Sequence, residues 1–169
     1  MTVSIVPLTA DHRAQALALE VHPEQLAFVS PVERMLAAAD TEPLTDPYLI
    51  LEQGRVVGFF LLNRDPQAIA YYASSPHTVG LEGFFVDRRE QGRGLGAQAL
   101  AALVRYLQLT HPELRELNLT VNCRNAAAIR AYQKAGFVDT GQLYHGGRSG
   151  PQHVMTLPLG AAAPERAGG

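Results

Sequence analysis

An α/β (α+β) chain is predicted by three observations. Residues 48–62 hold two apolar runs joined tightly around Gly54, which reads as a hairpin. A long strand from Thr78 to Asp87 leads into Gln91-Gly92-Arg93-Gly94-Leu95-Gly96 and then into a helical pattern with Leu100, Leu103, Val104 and Leu107 on one face. Beyond that helix, strand and helix alternate again as far as Leu157.

The elements follow in order. Val3 to Leu8 reads as a first strand, and Thr9 can cap the helix that carries Leu17 and Leu19. His22-Pro23 breaks that pattern, and Glu24 to Val29 forms a short helical turn. Ser30-Pro31-Val32-Glu33 has the register of a capping box, with Ser30 as N-cap and Pro31 at the first helical position of a helix running to about Ala39. Residues 40–47 are expected as loop. Ala68 to Ala73 is expected as a further strand, with Ser74-Ser75-Pro76-His77 turning into the next one. His111-Pro112 stops the long helix, and Leu117 to Val121 alternates as a strand. Asn125 can cap a helix from Ala126 to Ala135, closed by Gly136. Strands from Phe137 to Tyr144 and from His153 to Leu157 follow, separated by a polar turn at 145–151. Residues 1–158 are therefore expected as a single domain and 159–169 as a disordered tail.

Composition narrows the function classes. The 169 residues suit one domain with a sizeable core, and 47% hydrophobic against 18% charged residues is a folded composition. A net charge of -2 suits neither a nucleic-acid groove nor a polybasic membrane anchor. The single cysteine, Cys123, can form no internal disulfide, and the histidines lack H-x-x-x-H spacing, so no metal is expected. The start MTVSIVPLTADHR lacks a basic n-region and a long apolar h-region, so membrane insertion and export are not expected and a cytoplasmic location is.

The glycine-rich turn is where chemistry can sit. Glycines admit a ligand close to the backbone, and the first N–H groups of a helix point at it, which suits an anion. A dinucleotide fingerprint needs G-x-G-x-x-G and a Walker A loop needs Gly-Lys-Ser or Gly-Lys-Thr; the chain has neither. A tight packing turn is the other reading.

Gln91, Gly94 and Gly96 match the (Gln/Arg)-x-x-Gly-x-(Gly/Ala) signature of the GCN5-related N-acetyltransferases, and in this the chain resembles that family. Phe84-Phe85-Val86-Asp87 before the signature, and Asn125, Tyr132 and Gly136-Phe137 after it, resemble the family's other landmarks in order and spacing. Leu81 to Asp87, Ala128 to Phe137, Val154-Met155 and Val21 to Gln25 look similar to the bacterial diamine and polyamine N-acetyltransferases. The resemblance covers roughly Val3 to Leu157. It implies a mixed, mostly antiparallel central sheet flanked by helices, in which the two strands after the glycine-rich helix and before the Asn125 helix splay to form the acetyl-CoA cleft.

The resemblance also implies roles. Backbone N–H groups from Gly92 through Leu95 to Gly96 would receive the CoA pyrophosphate. Arg93 would either add charge towards the phosphates or remain a solvated surface arginine. Phe84, Phe85 and Val86 would hydrogen-bond the pantetheine arm, with an N–H near Val86 polarising the thioester carbonyl. Tyr132 would protonate the departing thiolate, which suits a phenol of pKa near ~10, or else be a core residue. Asn125 would cap its helix and touch the cofactor. Glu82 is the candidate base, sharing a side of the strand with Phe84 and Val86 if no bulge intervenes; a solvent-facing glutamate is the alternative. Glu20, Glu24 and Glu33 would either offer carboxylates to a distal ammonium or remain solvated surface, and Phe28 and Tyr48 would either line the apolar part of the tunnel or serve ordinary packing. Tyr71-Tyr72 reads as strand packing or dimer surface.

The reaction implied is direct acetyl transfer from acetyl-CoA to a small-molecule amine, a diamine or polyamine, with no acyl-enzyme on the lone cysteine. A protein N-terminus or lysine, an amino acid or an aminoglycoside is the alternative acceptor, and a non-catalytic acyl-CoA sensor is a third reading. Homodimers are common in the family. Two departures stand out: Gly83, where related sequences often carry a larger residue, would widen the acceptor side, and Gly146 to Gly150 would form a lid.

Overall fold

The computed structural model describes residues 2–147 and 149–160. Its strands are β1 (Val3–Pro7), β2 (Thr45–Glu52), β3 (Arg55–Asn63), β4 (Thr78–Val86), β5 (Glu116–Asn122), β6 (Val138–Tyr144) and β7 (Gln152–Pro158). They form one sheet in the order β1-β2-β3-β4-β5-β7-β6. All neighbours are antiparallel except β4 and β5. The helices are α1 (Arg13–Leu17), α2 (Val32–Thr41), α3 (Leu95–Thr110) and α4 (Ala126–Lys134).

The run Phe59-Phe60-Leu61-Leu62 in β3 is apolar throughout because both faces of the sheet are covered. Phe59 and Leu61 join Leu49, Phe85 and the α1 and α2 residues Ala16, Met35 and Leu36 in one core. Phe60 and Leu62 pack on the other side with Leu95, Leu100, Leu103 and Leu107 of α3 and with Tyr132 of α4. The expected mixed, mostly antiparallel sheet with helices on both faces is the observed architecture.

Two features of β4 shape everything near the site. Its pairing with β5 covers only Thr78–Gly80 against Glu116–Asn118. Past Gly80 the strands part, while β5 keeps its full register with β7. The second feature is a bulge: Leu61 lies opposite Glu82 and Phe59 opposite Phe85, so Gly83 and Phe84 together face a single residue of β3. Gly83 has φ +61°, a left-handed conformation that suits glycine.

Several expectations need correction. The strands that splay are β4 and β5, which flank α3; only β5 lies between α3 and α4. Residues 68–73 form turns outside the sheet, because Ile69, Tyr72 and Ala73 have helical spacing and the Tyr72 and Ala73 N–H groups both donate to the Ile69 carbonyl. The Ser30 capping box does not form: Pro31 is the N-cap in extended conformation, and its carbonyl takes the Arg34 and Met35 N–H groups. Helix α2 runs on to Thr41 and β2 begins at Thr45, so the expected loop at 40–47 shrinks to three residues. Leu159 is 2% exposed in the α3 core and donates its N–H to the Arg115 carbonyl, so the ordered chain passes residue 158. The expected tail from 161 to 169 lies outside the described residues.

A β-carbon at Gly83 would come within 2.3 Å of Met35 Sδ as well as occupying positive φ. Gly83→Ala is therefore expected to lower the unfolding free energy by about 1–3 kcal/mol in a denaturant titration.

Candidate active site

Where β4 and β5 part, a cleft of about 520 Å³ opens. Residues 81–86 form one wall and residues 119–122 the other; Asn125, Ala128 and Tyr132 of α4, together with Tyr71 and residues 25–30 before α2, complete it. Glu82, Phe84, Phe85, Val86, Gln91, Asn125 and Tyr132 are thereby brought to one cavity.

The far end of β4 presents open backbone. Phe85 lies opposite Phe59, and the Asp87 N–H donates to the Val57 carbonyl at 2.8 Å. Antiparallel alternation then turns the Val86 N–H away from β3, to the side β5 has left. Gln91 Nε2 caps the Val86 carbonyl at 2.8 Å and also donates to Gln25 Oε1 at 3.1 Å. The signature glutamine thus ties the end of β4 to the segment before α2.

Beyond Gln91 the chain turns through Gly92 and Gly94, at φ +83° and +77°. A β-carbon at Gly92 would meet nothing within 4 Å, and one at Gly94 only Gln98 Nε2 at 4.0 Å. Gly94 is the N-cap of α3 and brings no side chain to the helix's first N–H groups. Gly96 packs against β4, its β-carbon position 3.7 Å from Val86 Cγ2 and 3.8 Å from Phe84 Cε1. Room above the glycines and open N–H groups at the start of a 16-residue helix make a cradle that fits a phosphate group. Leu95 is buried in the core, and the Arg93 guanidinium is engaged by Glu52 and Glu90.

Tyr132 reaches the cleft from α4, whose N-terminus is fixed by Asn125 Oδ1 accepting the Ala128 N–H at 3.3 Å. Its ring stands edge-on to Phe84 and Phe137, and burial raises its pKa, so the phenol keeps its proton at neutral pH.

Glu82 lies on the other face of β4, because the bulge separates it from Phe84 and Val86. These two pack with α3 and α4, whereas Glu82 lies opposite Leu61, whose side chain packs with α1 and α2. The expectation that Glu82 shares a side with Phe84 and Val86 is corrected on this ground. Tyr72 Oη and Asn63 Nδ2 both donate to Glu82 Oε2, at 3.0 and 3.3 Å. Burial raises the Glu82 pKa, the two hydrogen bonds oppose the rise, and the nearby charge of Glu42 adds to it. Glu82 is the sole charged side chain along the cleft among the described residues. Both hydrogen bonds fall on the same carboxylate oxygen, Oε2.

Tyr72 and Asn63 were not legible as part of the site. One signal exists in Gly80, where a β-carbon would lie 1.9 Å from the Tyr72 hydroxyl: a glycine inside a strand marks another group's close approach. The pair Tyr71-Tyr72 is no strand; Tyr71 lines the cleft and stacks on Tyr144, while Tyr72 holds Glu82. Phe28 lines the cleft as expected, but Tyr48 is buried against Phe60 and hydrogen-bonded to Tyr106. Glu20, Glu24 and Glu33 lie outside the wall, with Glu20 paired to Arg88 at 3.0 Å. Gly83 does not widen the site, since Met35 Sδ occupies the space of a side chain. Among the described residues of the 145–151 turn, one borders the cleft. Ser149 lines the cleft, donates Oγ to the Ala27 carbonyl at 2.7 Å, and accepts from Asn122 Nδ2 and Arg124 Nη2 on its own carbonyl. Arg148 lies outside the described residues.

The raised Glu82 pKa fixes a sign. The folded state holds this proton to higher pH than the unfolded chain, so stability falls as pH climbs from the ordinary glutamate value through the raised one. Glu82→Gln should remove that slope in thermal melts taken across a pH series, leaving the variant at least as stable as wild type above the window.

The Acetyltransferase (GNAT) family model matches residues 11–137. The chain is 32% identical over 144 residues to the spermine/spermidine N(1)-acetyltransferase of Bacillus subtilis (strain 168), spanning 85% of this chain and 92% of that protein. Aminoglycoside acetyltransferase AAC(6')-Ib, solved with coenzyme A and kanamycin, matches with a TM-score of 0.74 at 20% identity over 93% of this chain and 95% of its own. The ribosomal-protein-S18-alanine N-acetyltransferase from Escherichia coli matches at 0.66 and 20% over 97% and 98%. No helix among the described residues is long and apolar enough to cross a membrane. With the family model spanning most of the chain and the glycine cradle beside a splayed sheet, the protein belongs to the GNAT family and is an N-acetyltransferase.

Proposed function

We propose that this enzyme transfers the acetyl group of acetyl-CoA to a primary amine of a diamine or polyamine, by direct attack of the amine on the thioester. The observation that carries the reading is Glu82: a half-buried carboxylate, the one charged side chain among the described residues of the cleft lining, on the face of β4 opposite Phe84, Val86 and Tyr132. The extended similarity to a spermine/spermidine N(1)-acetyltransferase supports the acceptor class.

Acetyl-CoA, when bound, supplies an activated acetyl group on sulfur. The N–H groups at the start of α3, after Gly92 and Gly94, hold its pyrophosphate, and Phe84 to Val86 offer strand-like hydrogen bonds to its arm. The Val86 N–H polarises the thioester carbonyl. An alkylammonium has a pKa of about 10, so it arrives charged. Glu82 attracts it and takes one proton, leaving the nitrogen lone pair to attack. Tyr132, its pKa raised by burial, gives its proton to the sulfur as the C–S bond breaks, and the remaining surplus proton of the acylated nitrogen passes to the phenolate, restoring the phenol and leaving the amide. Asn125 holds the first turn of α4 and with it the position of Tyr132.

A mass-spectrometric acetylation panel tests the reading: putrescine, spermidine, spermine, amino acids, aminoglycosides and peptide amines, with Tyr132→Phe beside wild type. Saturable acetylation of the polyamines is expected, with kcat lower in the variant by about 10²–10⁴-fold. Turnover confined to other amines would overturn the polyamine assignment, and full activity of Tyr132→Phe would overturn the proton donor.

The pH profile tests the base. The Tyr72 hydrogen bond holds the Glu82 pKa down against burial, so Tyr72→Phe is expected to move the acid limb of kcat/KM to higher pH. An unmoved limb would assign it to another group.

A further inference from the structure

The glycine-rich loop is tied to the β2–β3 turn by four charged side chains of alternating sign. Glu52 ends β2 and Arg55 opens β3 directly across from it. Glu90 and Arg93 flank the first loop glycine, Gly92. Arg93 donates Nη1 and Nη2 to Glu52 at 3.1 and 2.7 Å, and Nη1 also to Glu90 Oε2 at 2.6 Å. Arg55 closes the ring with Nη2 to Glu52 Oε1 at 3.1 Å and Nη1 to Glu90 Oε1 at 2.5 Å. The Glu52 side chain is 5% exposed, and its oxygens are satisfied by these two arginines.

A carboxylate removed from water needs such partners, and the forked guanidinium supplies them with defined geometry. The consequence for Arg93 is that two carboxylates bracket its charge and direct it towards the β2–β3 turn. A buried anion beside a loop meant to receive an anion is unfavourable for affinity unless it acts on the loop's shape. Its partner Arg93 sits between Gly92 and Gly94, the two residues whose positive φ values turn the start of α3 outward.

We propose that Glu52 is a positioning residue for the acetyl-CoA loop: by gripping Arg93 it fixes the backbone of Gly92 and Gly94 so that the α3 N–H groups face the pyrophosphate, and Arg93 acts through this clamp instead of as a phosphate ligand. The inference rests on the reading of the loop as the acetyl-CoA site.

The two roles for Arg93 predict opposite signs. If Arg93 were a phosphate ligand held back by carboxylates, removing a carboxylate would release it and tighten CoA binding. If it is a clamp, Glu52→Gln loosens the loop, and both the CoA Kd in a calorimetric titration and the KM for acetyl-CoA rise, by about tenfold. The KM for the amine and kcat stay within about twofold, a split that general destabilisation would not produce. Arg93→Lys should show the same selective rise, since an ammonium cannot make the two-pronged contact. Unchanged or tighter CoA binding by Glu52→Gln overturns the proposal. Should that variant fail to fold, Glu90→Gln, at the more accessible carboxylate, decides the sign in the same assay. Gly92→Val is the separate control: if it leaves CoA affinity intact, the loop reading itself fails, whereas a weakened Gly92→Val beside an unweakened Glu52→Gln rejects only the clamp.

Discussion

The site depends on one strand losing its neighbour halfway along. Strand β4 is paired with β5 for three residues and then stands with one edge open, while β3 continues to hold its other edge. An open strand edge inside a protein leaves N–H and C=O groups in need of partners. Here Gln91 caps one carbonyl, and the adjoining Val86 N–H faces the gap. The bulge at Gly83 adds a second consequence, because it switches which side of the sheet each later side chain occupies. Glu82 ends up with α2, and Phe84 and Val86 with α3 and α4. A carboxylate and a phenol are thereby delivered to one cleft from opposite faces of a single strand.

That separation matters for charge. Beside Tyr132 and the glycine cradle, a carboxylate would oppose an incoming phosphate-bearing cofactor; across the strand it would meet the cationic acceptor of the proposed reaction instead. Burial lifts the Glu82 pKa, and the Tyr72 and Asn63 hydrogen bonds keep the rise in check. The phenol is moved in the same sense, and its apolar surroundings keep it protonated. A carboxyl group and a protonated phenol on opposite faces of β4 suit the base and the acid of the proposed transfer.

Much of this was legible in the residues. The Gly54 hairpin, the amphipathic α3, the Asn125 cap and the glycine-rich turn are local devices whose chemistry is written in adjacent positions. They emerged in the structure with bounds close to those expected. What failed was non-local or depended on register. The bulge at Gly83 reverses the faces of β4, and no periodicity of 81–87 reveals it before β3 is seen alongside. Tyr72 reads as strand because its neighbours are apolar, yet the segment coils under β7 and sends its hydroxyl across Gly80 to Glu82. Ser30 and Pro31 satisfy a capping pattern by composition, but Pro31 takes extended backbone and the helix begins one residue later. Of the acidic residues that the resemblance places near the acceptor wall, the fold leaves Glu24 and Glu33 exposed, the alternative reading of them, and pairs Glu20 with Arg88.

Backbone amide shifts during a CoA titration test the central claim most directly. If the open edge of β4 and the cradle after it receive the cofactor, the amides of Val86, Leu95 and Gly96 shift together and saturably, while those of β6, at the far edge of the sheet, stay in place. Saturable CoA binding with Val86 and the α3 start unmoved would contradict the account.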